Sequence, residues 1–311
     1  MPITRDADWW RNAVIYQVYP KSWADGDGDG IGDVAGIRAH LSHLARLGID
    51  AVWFSPWYPS PQADGGYDVS DYRDIDPVLG TVAQVEALIA EAHDLGIKVI
   101  VDVVPNHTSD EHPFFREALA AEPGSPAWQR YHLRRGAAGG TEPPNNWRST
   151  FGGSAWDQVP DAQGNPSGWW YLHLFDSRQP DLNWDDPSVR EDFLRTLRFW
   201  FDRGVDGFRI DVAHGLVKDP QLRPAEHPPE DGEDAIPRPA PSPHWDQPGV
   251  HEIWREWRRV ANEYTPPRAF VGEVWVPTVE GHAAYLRPDE LHTAFNFHYL
   301  KCPWDPIELR A

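Results

Sequence analysis

The chain has 311 residues, 41% of them hydrophobic, which is enough for one large domain or two ordinary ones. Against 28 basic side chains stand 48 acidic ones, a net charge of −20 that argues against nucleic acid as a partner, since phosphates require a basic surface. The single Cys302 forbids an internal disulfide, and the absence of a basic-then-apolar leader or an apolar stretch of membrane-spanning length predicts a cytoplasmic protein with no membrane partner.

Short apolar, β-branched runs alternate with longer amphipathic stretches. VIYQVY (Val14 to Tyr19) reads as a strand. It is followed by DGDGDGIGD, from Asp25 to Asp33, which packs four carboxylates into nine residues. A helical stripe of Ile37, Leu41, Leu44 and Leu47 ends at Gly48. AVWF (Ala51 to Phe54) is a second strand, VEALIAEAHDLG a second helix closed by Gly96, and KVIVDVV (Lys98 to Val104) a strand apolar enough to be buried on both faces. From Thr108 to about Asp181 the alternation gives way to sequence rich in Pro, Gly, Asn and Trp, too long for a simple loop and read as an inserted small domain. The alternation then resumes with a helix near Val189 to Phe201, strand GFRIDV, helix Val250 to Tyr264, strand AFVGEV and a last candidate strand TAFNF. The proline-rich stretch from Lys218 to Pro248 reads as a long surface loop.

Six strand–helix units with an insertion after the third strand predict an α/β fold, a parallel barrel. No glycine-rich phosphate loop follows the first strand, as an open doubly wound sheet would require. The expected organisation is a first barrel part over residues 1–107, the inserted domain over 108–181, and the barrel continued over 182–311.

In a parallel barrel the chemistry lies at the C-terminal ends of the strands. Four stretches place polar residues there. These are DVVPNH with Asn106 and His107, GFRIDVAH with Arg209, Asp211 and His214, VGEVW with Glu273, and DGGYDVSDY with Asp64, Tyr67 and Asp68. Adjacent parallel strands lie about 4.8 Å apart, so Asp211 and Glu273 can approach the roughly 5–5.5 Å separation of a retaining glycosidase pair. Arg209 points to the same side of its strand as Asp211 and is expected to keep it ionised. Glu273, flanked by Val274 and Trp275, is expected to have a raised pKa. The alternative is a buried Arg–Asp pair that only staples two strands. The 17 Trp fit sugar stacking as well as a large core.

DVVPNH, GFRIDVAH, GEVW and QPDLNW, in this order and spacing, resemble the α-amylase superfamily of retaining glycoside hydrolases. DGDGDGIGD, GGYDVSDYRDIDP and YLHLFDSRQPDLNWDDP are similar to its α-glucosidase and oligo-1,6-glucosidase branch. The resemblance implies a (β/α)8 TIM barrel with a domain inserted after strand 3, here incomplete, with about six strands present. It implies Asp211 as nucleophile and Glu273 as general acid/base. Asp64, Tyr67, His107 and Arg209 would bind the glucose, with Phe151, Phe175 and Gln179 lining the pocket and Asp102 supporting Arg209. The expected substrate is a short α-glucoside, a disaccharide or oligosaccharide, from which α-glucose is released.

Asp25, Asp27, Asp29 and Gly30 match the start of an EF-hand loop, but position twelve is Gly36 rather than a bidentate Glu, and a strand with Pro20 is expected to lead into the loop. The resemblance implies instead one structural Ca2+ held by Asp25, Asp27, Asp29, Asp33 and the carbonyl of Ile31. The family's His-Asp pair after its seventh strand has no match after Glu273. The chain is therefore expected to be a truncated piece with little activity alone. Val212 resembles the α-1,6 type, whereas DVAHGLVKD departs from it and tips the expectation towards α-1,4 substrates. Two rivals stand beside this: a glucosyl transferase or isomerase of the trehalose synthase or sucrose isomerase type, which shares most of the motifs, and a non-catalytic sugar-binding relative, which the presence of both Asp211 and Glu273 argues against. Nothing in these motifs specifies an oligomeric state.

Overall fold

The computed structural model describes residues 8–161, 163–226 and 242–310. In chain order, β1 (Ile15–Val18) leads to a helical turn, α1 (Pro20–Trp23), then α2 (Val34–Leu47), β2 (Ala51–Phe54), α3 (Val82–Asp94) and β3 (Lys98–Val103). The inserted region holds α4 (Pro113–Ala120), α5 (Pro126–Gln129), β4 (Leu133–Arg135), β5 (Trp156–Pro160) and β6 (Pro166–Leu172). After it come α6 (Pro187–Asp202), β7 (Gly207–Ile210), α7 (Val250–Ala261), β8 (Ala269–Gly272), α8 (Val279–Ala284), β9 (Thr293–Ala294) and α9 (Phe297–Lys301).

Six strands form one parallel sheet in the order β1-β2-β3-β7-β8-β9, and three form a separate antiparallel sheet, β4-β6-β5, within the insertion. The six expected parallel strands are all present, each trimmed by a residue or more where its run passes into a loop, AVWF excepted. The helices begin earlier than their apolar stripes suggest, because the caps are polar. Asp33 caps α2 by accepting a hydrogen bond from Gly36 N, and Thr81 caps α3 through Gln84 N. Gly48, at φ 83°, takes the left-handed conformation that ends α2. Val34, Ile37, Leu41 and Leu44 of α2, with Val85, Leu88 and Ile89 of α3, pack on the sheet. Ile253, Trp254 and Trp257 of α7 do the same further along the chain.

Register positions the chemistry. Asp102 of β3 lies opposite Arg209 of β7, and Arg209 opposite Val271 of β8. Two residues further on, Asp211 and Glu273 leave the sheet side by side, with Glu273 N bonded to Ile210 O and Ala213 N to Glu273 O, both at 2.9 Å. Val212, between them, has φ 47°, a left-handed conformation that a β-branched residue rarely adopts. Among the described residues, β1 and β9 are the outer strands of the sheet. On the β9 side, Leu300, Trp304 and Ile307 stand largely in solvent.

Candidate active site

Arg209 is the centre of the site. Its guanidinium is buried and reaches three carboxylates. Nη1 donates to Asp211 Oδ1 at 2.5 Å and to Asp102 Oδ1 at 3.1 Å, and Nη2 donates to Glu273 Oε2 at 2.7 Å. Asp102 is fully buried and also accepts from Trp53 Nε1 at 3.1 Å and Tyr67 Oη at 3.4 Å, so it orients Arg209 from below. One guanidinium thus holds the two carboxylates side by side where adjacent strands end.

Three carboxylates around one guanidinium cannot all stay ionised out of water. Burial pushes Asp102 up to about 6 despite Arg209. Burial, helped by the neighbouring Glu273 and Asp102, raises Asp211 against the pull of Arg209. Burial opposes ionisation of Glu273 too, but Arg209, the hydrogen bond with Asp211 and those it accepts from Trp275 Nε1 (3.0 Å) and Val212 N (3.2 Å) carry it below the ordinary glutamate range. The pair therefore leans its shared proton towards Asp211. This reverses the expectation that Arg209 holds Asp211 ionised while Val274 and Trp275 raise Glu273. Arg209 is divided among three acids, and Trp275 offers Glu273 its N–H edge rather than its apolar face.

A cavity of about 660 Å³ opens over this centre, lined by Asp64, Tyr67, His107, Phe151, Phe175 and Arg209 with both carboxylates. Phe151 is 60% exposed at its rim, edge-on to Phe175. Gln179 is fully buried and does not line the cavity. Its Nε2 lies 3.0 Å from both Asp64 Oδ2 and His107 Nε2, so it fixes two cavity-lining groups from behind. Burial holds His107 near 4, hence neutral, and raises Asp64. Residues 227–241 of the proline-rich stretch lie outside the described residues.

Sequence reasoning missed several lining residues. Trp245 stacks on His214 with centroids 5.0 Å apart and faces Phe175 edge-on. Trp275, Thr150 and Lys301 also line the cavity. Trp275 had a signal, standing two residues from Glu273; Trp245, Thr150 and Lys301 lie in segments without strand periodicity. Beneath the site, fully buried Lys218 bonds Asp181 Oδ2 and Asn106 Oδ1, each at 2.8 Å, and Asn106 Nδ2 lies 3.2 Å from His107 Nδ1. Lys218 thus ties the loop after β7 to the end of the insertion.

The acidic loop stands elsewhere, beside α2. One carboxylate oxygen from each of Asp25, Asp27 and Asp29 falls within 4.8 Å of the others, all three residues exposed. Hydrogen bonds from Gly28 N and Gly30 N lower the pKa of Asp25. Such a hard, all-oxygen, negatively charged donor set suits a Ca2+ ion. Asp33 stands outside this cluster, its oxygens accepting from Gly36 N and Gly26 N, and Ile31 donates its N–H to Asp29 Oδ1. The segment containing Pro20 is a helical turn rather than the expected strand, because Pro20 occupies a first-turn position that needs no N–H.

The family model for the alpha-amylase catalytic domain matches residues 17–307. Trehalose-6-phosphate hydrolase of Escherichia coli (strain K12) is 44% identical over 296 residues, covering 94% of this chain and 50% of that protein. Oligo-1,6-glucosidase of Parageobacillus thermoglucosidasius is 42% identical over 295 residues, again 94% and 50%. The crystal structure of an alpha-glucosyl transfer enzyme superposes with a TM-score of 0.86 at 37% identity, covering 97% of this chain and 57% of that one. The chain spans about half the length of the curated relatives it matches.

Proposed function

Because the chain belongs to the alpha-amylase catalytic-domain family, we propose that its protein is a retaining α-glucosidase that releases α-glucose from the non-reducing end of short α-glucosides such as maltose or isomaltose. The observation that carries this reading is the seating of Asp211 and Glu273 on the two nitrogens of Arg209 at the floor of an aromatic-walled pocket. Asp64 and neutral His107, held from behind by Gln179, form a polar end that fits sugar hydroxyls, and Tyr67 supplies a ring beside them.

The chemistry is a double displacement. The entering sugar separates the two carboxylates, and the proton they share passes to Glu273. An Asp211 oxygen then bonds to the anomeric carbon as the glycosidic C–O bond breaks and Glu273 gives its proton to the leaving oxygen. Glu273 next takes a proton from water, whose oxygen displaces Asp211 and leaves α-glucose. Arg209 stays bound to Asp211 throughout and steadies its charge. A Ca2+ held by Asp25, Asp27, Asp29 and the Ile31 carbonyl would neutralise the acidic loop, away from these steps.

Glucosyl transfer is the second reading, favoured by the wall of Phe151, Phe175, Trp245 and Trp275, which offers an acceptor sugar stacking faces. Proton NMR of maltose and isomaltose incubated with the whole gene product separates the two. Early α-glucose supports hydrolysis with retention, and a new disaccharide supports transfer. β-Glucose, or no reaction of either sugar, refutes the proposal.

A further inference from the structure

Among the described residues, the hydrogen-bond partners of the Glu273 carboxylate are Asp211 and three N–H donors. Two of these are inseparable from the rest of the site, the Arg209 guanidinium and the backbone of Val212. The third is a separate side chain, whose hydrogen bond among the described residues goes to Glu273. Trp275 Nε1 donates to Glu273 Oε1 at 3.0 Å, and an indole can only donate. Its ring is locked in place. Phe297, the first residue of α9, lies parallel to it at 7° with centroids 3.4 Å apart, and Lys301 Nζ, at the end of the same helix, lies 5.3 Å from its centroid. The Trp275 backbone N–H is turned towards His214 Nδ1 at 3.4 Å.

We infer that Trp275, clamped by Phe297, is a positioning residue for the acid/base carboxylate: its indole N–H fixes the rotamer of Glu273 and holds Oε1 as the accepting oxygen. This rests on the proposed retaining mechanism. It extends the working site to α9, more than twenty residues beyond the carboxylate it serves. A donor on Oε1 favours the ionised carboxylate, the form that must accept a proton from water in the second displacement. Without it the side chain loses one of the contacts that aim it, and the carboxyl holds its proton to higher pH.

The test is Trp275→Phe in the whole gene product, which keeps a ring on Phe297 and removes the donor. On maltose, kcat should fall roughly tenfold, a fraction of what general acid–base catalysis is worth, with KM changed less than about twofold. The alkaline limb of kcat/KM should move to higher pH. An aryl α-glucoside, whose phenolate leaves with little protonation, should lose less in its first step than maltose does. Phe297→Ala, which loosens the clamp and keeps the indole, should shift the same limb in the same direction by less, and it provides the test if Trp275→Phe does not fold. Equal losses on both substrates with an unmoved pH profile would overturn the inference and leave Trp275 a packing residue. A wild-type protein that cleaves neither substrate would instead defeat the retaining reading itself.

Discussion

Five buried histidines, two of them lining the pocket, are unusual in their protonation. Burial holds His107, His112 and His214 near 4, and His244 and His292 near 3. An unfolded histidine takes up its proton near 6.5. As pH falls below that value the unfolded chain binds protons that the folded one refuses, so stability that is complete above about 6.5 drains away towards pH 4. Each ring contributes up to about 1.4 kcal/mol per pH unit in that window. We expect the melting temperature to fall steeply between pH 6.5 and 4. A flat melting temperature across this range would show that the folded protein protonates these rings freely. Arg209 remains charged throughout, its pKa raised by Asp102, Asp211 and Glu273 despite its burial, so the site keeps its central cation.

At the scale of elements, the parallel strands and the helices that cover them were legible because apolar runs and stripes report burial directly. Asp211, Glu273, Arg209 and His107, which line one cavity, were legible as candidates for a related reason, since polar residues at or just past the end of an apolar strand stand out from the pattern. Four features were hidden. Polar caps such as Asp33 and Thr81 extend helices past their apolar stripes. Gln179 points at Asp64 and His107 only because the insertion folds back over the barrel. The direction in which the shared proton leans depends on how one guanidinium divides itself, which no linear pattern records. Lys218 belongs with these. It joins the loop after β7 to Asp181 and, through Asn106, to His107. Replacing it with methionine strands a buried Asp181 carboxylate, so Lys218→Met should cost about 3–5 kcal/mol in urea unfolding. A loss below about 1 kcal/mol would mean that water reaches Asp181 and the tie is dispensable.

Across the whole molecule, charge and sheet topology are the dominant facts. No helix among the described residues is long and apolar enough to cross a membrane. A net charge of −20 loads the folded state with self-repulsion, and three of those charges converge in the loop of Asp25, Asp27 and Asp29. A divalent cation that binds only the folded loop stabilises the whole chain by mass action. Calcium at millimolar concentration should therefore raise the melting temperature, EDTA should reverse the rise, and Asp27→Ala should abolish it. A melting temperature indifferent to calcium would make the loop an acidic turn and nothing more. The six-stranded sheet gathers Asp102, Arg209, Asp211 and Glu273 on or just beyond three neighbouring strands, β3, β7 and β8, the last of which adjoins the outer strand β9.

The left-handed backbone at Val212 places a stability–activity trade-off at a single codon. A branched residue held there stores roughly 1–3 kcal/mol of conformational strain. That strain aims the peptide N–H at Glu273 between the two reacting carboxylates. Glycine would relax the bend while giving up the buried isopropyl group, two effects of similar size and opposite sign. Selection for heat resistance would therefore barely register the exchange, whereas selection for turnover would reject it.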